Sequence, residues 1–161
     1  MNTIFSAGDH ITQQFGNKHP LIGGKVYKNY YKRYNSPKGH NGIDIVPAQP
    51  GDIVVRTPVM IKEIVKAVNN YNDGFGAYVK ALVAGLDGKE YFVYFAHLDM
   101  WYDFILTGGP LPALSKIGIM GGSSAGNRYG VFPHLHLGVR GINTPRNNGY
   151  NGYINPGVIY G

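Results

Sequence analysis

Cysteine is absent from the 161 residues of this chain. Disulfide bonds, thiolate metal ligands and a cysteine nucleophile are therefore excluded in any compartment. A metal ion bound by the protein has to be held by histidine and carboxylate side chains instead. The six histidines are consequently the first residues to inspect for chemistry.

Long apolar segments are also missing. No stretch reaches the roughly 18 apolar residues of a transmembrane helix, and the N-terminal sequence MNTIFSAGDH lacks the basic start and apolar run of a secretory signal. We therefore expect a soluble protein. A length of 161 residues suits one domain that buries a core without disulfides, and we expect a single domain over residues 1–161.

Acidic residues are missing from one part of the chain, between Asp9 and Asp44. Six basic residues fall there: Lys18, Lys25, Lys28, Lys32, Arg33 and Lys38. Such a segment attracts anionic polymers by screened Coulomb forces. Nucleic acid, an anionic membrane and an acidic cell wall all qualify as partners, and a solvated basic face without a partner explains the pattern equally well. Tyrosines alternate with these charges, as on surfaces that stack on bases or sugars.

Long helices are disfavoured by frequent chain breakers. The sequence contains 24 glycines and 10 prolines, and the runs between them are short and rich in valine, isoleucine and aromatic residues. This pattern predicts strands at residues 42–46, 53–56, 59–68, 77–84, 90–97 and 134–140. Asp87 and Gly88 predict a hairpin turn between two of them, and only residues 98–106 have weak helical character. We therefore predict a mostly β fold with an antiparallel sheet core and little helix.

Three segments are predicted to be long loops that frame a substrate groove: residues 6–38, 107–116 and 143–153. Loops held by a rigid sheet commonly carry the contacts to substrate. The glycines between residues 118 and 126 are expected either to bring backbone close to an extended peptide or simply to form turns.

The sequence HLH places His134 and His136 two residues apart. On a strand, this spacing sends both imidazoles to one face and Leu135 to the other. Cupins also use this spacing, but the glutamate expected a few residues later is missing from LGVRGIN. The motif is therefore a candidate metal site in which either histidine could ligate.

His40 and Asp44 offer one imidazole and one carboxylate, and both groups suit zinc. Asp44 lies between Ile43 and Ile45 in an apolar run, where an unpaired carboxylate would be costly to bury. A bound cation would remove that cost. A turn residue or a surface histidine is the alternative interpretation.

His97 ends the apolar run YFVYFAH. A histidine there either packs at the end of a strand or moves protons at an active site. His10 and His19 fall in the predicted N-terminal loop, and we expect them at the surface.

In order and spacing, these motifs resemble the lysostaphin-type zinc endopeptidases of the LytM family. The resemblance extends through nearly the whole chain, in FGNKHP from Phe15, GHNGIDI from Gly39, FGAYV from Phe75, YFAHL from Tyr94, IGIMGGSSAGN from Ile117, PHLHLGV from Pro133 and INP from Ile154. The chain differs from the family in having Lys18 for a usual arginine and Phe132 for a common glycine. Neither difference removes a ligand.

The resemblance implies a zinc-dependent endopeptidase that hydrolyses peptide crosslinks of bacterial peptidoglycan. It assigns the Zn²⁺ ligands to His40, Asp44 and His136, and it makes His97 and His134 the catalytic pair. Three protein ligands leave a coordination position open for water, as catalytic zinc sites do. We expect one peptidase domain without a separate wall-binding domain.

The partners implied by the resemblance are stem or crosslink peptides of peptidoglycan, with anionic wall polymers suggested by the charge. We expect no specific nucleic acid and no membrane. The site of action would be the bacterial cell wall, reached from outside the cell, from the periplasm or as part of a phage virion, so that a phage lysin fits as well.

Two other classes of function remain open. A non-catalytic cell-wall-binding or regulatory module would have the same fold, but retention of all five site residues argues against it. A nucleic-acid-binding protein is suggested by the basic segment alone, and no nucleic-acid motif accompanies that segment.

Overall fold

The computed structural model describes residues 10–22, 24–46, 52–55, 59–65, 74–101, 109–124, 127 and 129–160. Strands dominate these residues. They are β1 (His10–Gln13), β2 (Leu21–Ile22), β3 (Lys25–Val26), β4 (Ile43–Val46), β5 (Asp52–Val54), β6 (Val59–Val65), β7 (Ala77–Ala84), β8 (Glu90–Trp101), β9 (Pro110–Leu111), β10 (Lys116–Met120), β11 (Leu135–Gly141) and β12 (Tyr153–Ile154).

Helix is confined to short pieces in the described residues. Two 3₁₀ helices span Tyr30–Tyr34 and Arg146–Asn148, and a single α-helix, α1, spans Gly157–Tyr160. Within this described part, no helix has the length and apolar character that crossing a membrane requires. The prediction of a mostly β fold with little helix is confirmed.

A large antiparallel sheet forms the body of the molecule. Its strands follow the order β1-β4-β11-β8-β7-β6-β9, with β10 pairing both β5 and β8 and with β12 pairing β11. Strands β2 and β3 form a separate hairpin. Strand β11 therefore lies inside the sheet, between β4 and β8, and both neighbours run antiparallel to it.

Alternation along β11 divides the sheet into two faces. Leu135, Leu137 and Val139 are at most 5% exposed and belong to the main apolar core, which they share with residues of β4, β7 and β8. His136 points to the opposite face, where it contacts Phe75 in a smaller aromatic cluster. One face packs and the other carries the polar residues, as the HLH spacing predicted.

Most of the predicted strands are confirmed, with some shifts of their bounds. Strand β7 has the predicted bounds, and its burial alternates along the strand. It is joined to β8 by the predicted turn, where Gly88 has φ 77° and the Asp87 carboxylate accepts a hydrogen bond from the backbone N–H of Lys89. Strand β6 is seen to Val65, and residues 66–68 lie outside the described part, as does residue 56.

Other predictions about local structure were wrong. The segment 98–106 continues β8 as strand through Trp101 rather than forming helix, and residues 102–106 lie outside the described part. The predicted loop 6–38 contains β1, β2, β3 and a 3₁₀ helix, and β10 was missed altogether. These strands form because of pairing with strands remote in the sequence. Strand β1 pairs with β4, and β10 pairs with β5 and β8.

We predict that Leu137→Ala will lower the free energy of unfolding by about 2–5 kcal/mol, since the deletion leaves a cavity in the core. Leu137 is 0% exposed, whereas Leu86, in the hairpin turn, is 59% exposed. Leu86→Ala is therefore the control, with an expected change within about 0.5 kcal/mol. Urea unfolding followed by circular dichroism measures both, and equal losses would contradict this placement of the core.

Candidate metal centre

Strand register brings the candidate ligands together. His136 of β11 lies directly opposite Asp44 of β4 and opposite Ala96 of β8. Side chains directly opposite on one sheet face have Cβ atoms only about 5 Å apart. His40 precedes β4 and reaches the same point from the end of that strand. The pairing of β4 with β11 thus joins residues that are 92 positions apart in sequence.

Three ligand atoms converge at this point. His136 Nδ1 lies 2.9 Å from Asp44 Oδ1, and His40 Nε2 lies 3.2 Å from the same oxygen. The two ring nitrogens are 3.1 Å apart. Ligand atoms around a tetrahedral zinc ion, at bond lengths near 2.0–2.2 Å, are separated by about 3.3 Å. The observed separations fit that requirement closely, and the three residues form a candidate metal site.

The proton on His40 is fixed by a backbone carbonyl. His40 Nδ1 donates to the Gln14 carbonyl oxygen at 3.3 Å, because a carbonyl can only accept. Nε2 is then left with its lone pair directed at Asp44 Oδ1 and at His136 Nδ1. In metal-ligating histidines, the ring nitrogen that does not bind the metal typically donates a hydrogen bond, often to a backbone carbonyl. The three ligand atoms therefore form a compact set that could hold a metal ion.

The electrostatics of the cluster support the same conclusion. Burial raises the pKa of Asp44, but His40 and the hydrogen bonds with His134 and His136 outweigh burial and hold that pKa well below 3.8. Burial, which the Asp44 carboxylate only partly offsets, lowers the pKa of His136 to about 4. An ionised carboxylate and an uncharged imidazole are the forms that bind zinc.

Gly42 leaves the space that the His136 ring fills. A Cβ on this glycine would lie 2.6 Å from both Cε1 and Nε2 of that ring, a separation that no side chain tolerates. The ring also contacts Phe75, whose ring centroid is 4.9 Å away. The ring of His136 is therefore held in one orientation by close packing.

Two further histidines stand beside the triad. The ring centroids of His97 and His134 are 4.6 Å apart, and His134 Nε2 lies 3.5 Å from Asp44 Oδ1. Each ring donates its Nδ1 proton to a backbone carbonyl, His97 to Ser123 at 2.7 Å and His134 to Phe132 at 2.6 Å. Both Nε2 atoms are consequently left for other contacts.

The two histidines differ in their environments. Burial, reinforced by His134 and His136, lowers the pKa of His97 to about 3. Burial also lowers the pKa of His134, but the hydrogen bond and charge of Asp44, together with the Phe132 carbonyl, raise it above 6.5 overall.

The backbone of His97 adopts an unusual conformation. Its φ is 62°, in the left-handed region that residues other than glycine seldom enter. Backbone hydrogen bonds secure it, because the His97 N–H donates to Phe75 and its carbonyl accepts from the Gly121 N–H. Strained conformations of this kind cluster at functional sites. Here the strain turns the imidazole towards His134.

Ser123 was not singled out from the sequence, although it holds His97 in place. The Ser123 side chain is fully enclosed: Oγ accepts from the Ala77 N–H at 2.9 Å and donates to the Leu98 carbonyl at 2.6 Å. Its own carbonyl receives the His97 proton. Gly76 packs so tightly against Ser123 that a Cβ at residue 76 would overlap the backbone of Ser123. A glycine-rich segment near a strand-end histidine was the only sequence signal for this arrangement.

The site lies in a groove of about 650 Å³. One wall is formed by Leu21, Ile22 and three tyrosines, and the other by residues 129–133. Gln13 and Asn41 also line the groove, and their side-chain amide nitrogens are buried without a hydrogen-bond partner among the described residues. Nothing in the sequence had marked these two amides.

The structure brings all five predicted site residues to this groove: His40, Asp44, His97, His134 and His136. His10 and His19 are exposed and do not line it, which agrees with their predicted surface position. In the glycine-rich segment, Gly122 lines the groove, and residues 125 and 126 lie outside the described part.

The fold is similar to that of solved M23 peptidase structures over most of the chain. The likeness holds at low sequence identity and so concerns the fold. The sequence matches no family model and no curated protein.

Three solved structures illustrate the likeness. The catalytic domain of the prophage-encoded M23 protein EnpA from Enterococcus faecalis is 17% identical, with a TM-score of 0.60, over 99% of this chain and 97% of that one. The catalytic domain of the antimicrobial peptidase lysostaphin from Staphylococcus simulans is 18% identical, with a TM-score of 0.58, over 91% and 88%. A chain of the SpoIIQ-SpoIIIAH pore-forming complex is 13% identical, with a TM-score of 0.59, over 99% and 89%.

Some similar proteins are much longer. The chain covers 33% of Csd3 from Helicobacter pylori, which it matches with a TM-score of 0.52 and 19% identity. The chain thus spans about a third of the length of that protein.

We predict that Ser123→Ala will lower the free energy of unfolding by about 1–3 kcal/mol, because it leaves the Ala77 N–H and the Leu98 carbonyl buried without their partner. Ser115→Ala is the matched control, since the Ser115 hydroxyl donates one hydrogen bond to the Pro112 carbonyl near the surface. The free energy of unfolding of this control should fall by less than about 1 kcal/mol. Thermal and urea unfolding measure both variants. If Ser123→Ala leaves the free energy of unfolding unchanged, this hydroxyl does not have the structural role assigned to it.

Proposed function

We propose that the protein is a zinc-dependent endopeptidase that hydrolyses peptide crosslinks of bacterial peptidoglycan. The observation that carries the proposal is the convergence of five residues in one open groove. Three of them, His40, Asp44 and His136, have ligand atoms at separations that fit a tetrahedral metal ion. The other two, His97 and His134, stand beside that point, and the Nδ1 of each is bound to a backbone carbonyl.

Each of the three ligands is prepared by its surroundings. The Gln14 carbonyl keeps the proton of His40 on Nδ1, so that Nε2 can ligate, and Gly42 and Phe75 hold the ring of His136. A bound zinc ion would supply Lewis-acid activation of a water molecule and of the scissile carbonyl. The absence of cysteine limits the donor set to nitrogen and oxygen, which catalytic zinc sites use with one position open.

His97 and His134 are the residues that we assign to proton transfer. Their Nδ1 protons are bound to the carbonyls of Ser123 and Phe132, so Nε2 is the nitrogen of each ring that can exchange a proton. A positioned imidazole of this kind accepts a proton from the attacking water or donates one to the leaving amine. Their rings lie close enough to serve the same reacting carbonyl.

The substrate class is inferred from shape and from likeness. An open groove with apolar and aromatic walls suits an extended peptide, and Gly122 allows backbone to approach it closely. Lysostaphin, an antimicrobial peptidase, and EnpA share the fold over most of this chain. We infer a site of action at the bacterial cell wall from these relatives.

A second candidate function is a non-catalytic module that binds the cell wall or a protein partner. The likeness to a chain of a pore-forming complex favours it, because the same fold serves assembly there. Retention of a complete triad with two adjacent histidines favours the enzyme instead.

We predict that His136→Ala will lose both bound zinc and activity, whereas His97→Ala will keep zinc and lose activity by at least a factor of about 100. The reason is that His136 ligates and His97 does not. His19→Ala is the control, since His19 is exposed outside the groove. Metal content by mass spectrometry and the rate of release of amines from purified cell walls are the two measurements.

Walls with different crosslinks, digested with and without a chelator, extend the same experiment. Mass spectrometry of the newly exposed amines identifies the bond, and zinc should restore activity after chelation. A wild-type protein that binds zinc yet releases no amine from any wall would support the non-catalytic module. Full activity in His97→Ala would refute the assignment of His97.

A further inference from the structure

The net charge of the protein resides in one segment of the chain, and other residues of that segment line the groove. The chain between Asp9 and Asp44 holds six basic residues and no acidic one, and the nine basic residues elsewhere are balanced by nine acidic residues. The formal charge of +6 therefore belongs entirely to this segment. We call its six basic side chains the cationic wall: Lys18, Lys25, Lys28, Lys32, Arg33 and Lys38.

All six side chains of the cationic wall are exposed to solvent. Across the described ranges, no carboxylate lies within ion-pair distance of any of them. An unneutralised group of like charges is destabilising by self-repulsion, and it attracts polyanions. The charge is thus available to a partner rather than used within the fold.

The cationic wall adjoins the groove directly. Ile22, which lines the groove, pairs with Lys25 across the β2-β3 hairpin. Tyr30 and Tyr34 also line the groove, and they belong to the same 3₁₀ helix as Lys32 and Arg33. A polymer bound to these cations would therefore run beside a peptide held in the groove.

The tyrosines of this wall are not a stacking platform, contrary to one expectation from the sequence. The guanidinium of Arg33 lies 3.6 Å from the centroid of the Tyr30 ring and covers its face. The rings of Tyr27 and Tyr31 meet Tyr30 edge to face, and Tyr31 is only 8% exposed. Proteins that bind single-stranded nucleic acids rely on free aromatic faces for bases. This wall offers charge with few such faces.

We infer that the cationic wall is a docking surface for a phosphodiester polymer of the bacterial cell wall, of the poly(glycerol phosphate) type. Five of its six cations are lysines, which bind phosphate as point charges without requiring a fixed geometry. A flexible polymer that carries phosphates but no bases matches a surface with charge and few stacking faces. The inference rests on the proposed function only for its choice of a cell-wall polymer over other polyanions.

The test measures binding of fluorescently labelled poly(glycerol phosphate) by polarisation at several salt concentrations, without turnover. The double variant Lys28→Gln/Lys32→Gln should weaken binding by at least tenfold and reduce the dependence on salt, since fewer counterions are released. The control, Lys62→Gln/Lys89→Gln, removes the same charge from exposed lysines outside the segment and should change affinity less than twofold. Circular dichroism checks that both variants fold.

Two further measurements separate the possible outcomes. A single-stranded DNA of equal charge should bind more weakly than the polymer, and equal binding would overturn the assignment to a cell-wall polymer. Equal losses in both double variants would show a general charge effect and overturn the docking surface. Cleavage of a small soluble crosslink peptide should be unchanged by Lys28→Gln/Lys32→Gln, so failure of polymer binding and failure of peptidase activity are observed independently.

Discussion

The pairing of β11 with β4 is the interaction on which the candidate site depends. It sets His136 directly opposite Asp44, on the sheet face that is not occupied by the main core. A shift of one residue in this register would turn His136 into the core and Leu137 towards the groove. Burial of Leu135 and Leu137 opposes such a shift, so the apolar core fixes the polar site.

Once this register is fixed, electrostatics determine what the site can hold. A partly buried carboxylate and two imidazole nitrogens about 3 Å apart share one small space. Isolated buried charges are costly, and pairing with a cation offsets that cost. Gly42 contributes by the space it leaves, because a side chain there would displace the His136 ring. Packing and charge therefore both suit a candidate metal site built from nitrogen and oxygen donors.

A second layer of backbone contacts sets the two neighbouring histidines. His97 has a left-handed backbone within a long strand, and it is secured by Phe75, Gly121 and the carbonyl of Ser123. The loop that supplies these contacts also binds the backbone N–H of His134 through Gly121. One loop thus positions both imidazoles, although its sequence gives little indication of the role.

The sequence by itself predicted the fold class and most strands, because alternation and turn residues are local properties, and it named five candidate site residues. HLH, for example, carries its own two-face geometry. Only the tertiary structure decided that residues 98–101 extend β8, that β10 is a strand, that Ser123 binds His97 and that Arg33 covers Tyr30. Each of these depends on a partner remote in the chain or on the local shape of the backbone, and neither is specified by residue type or spacing alone.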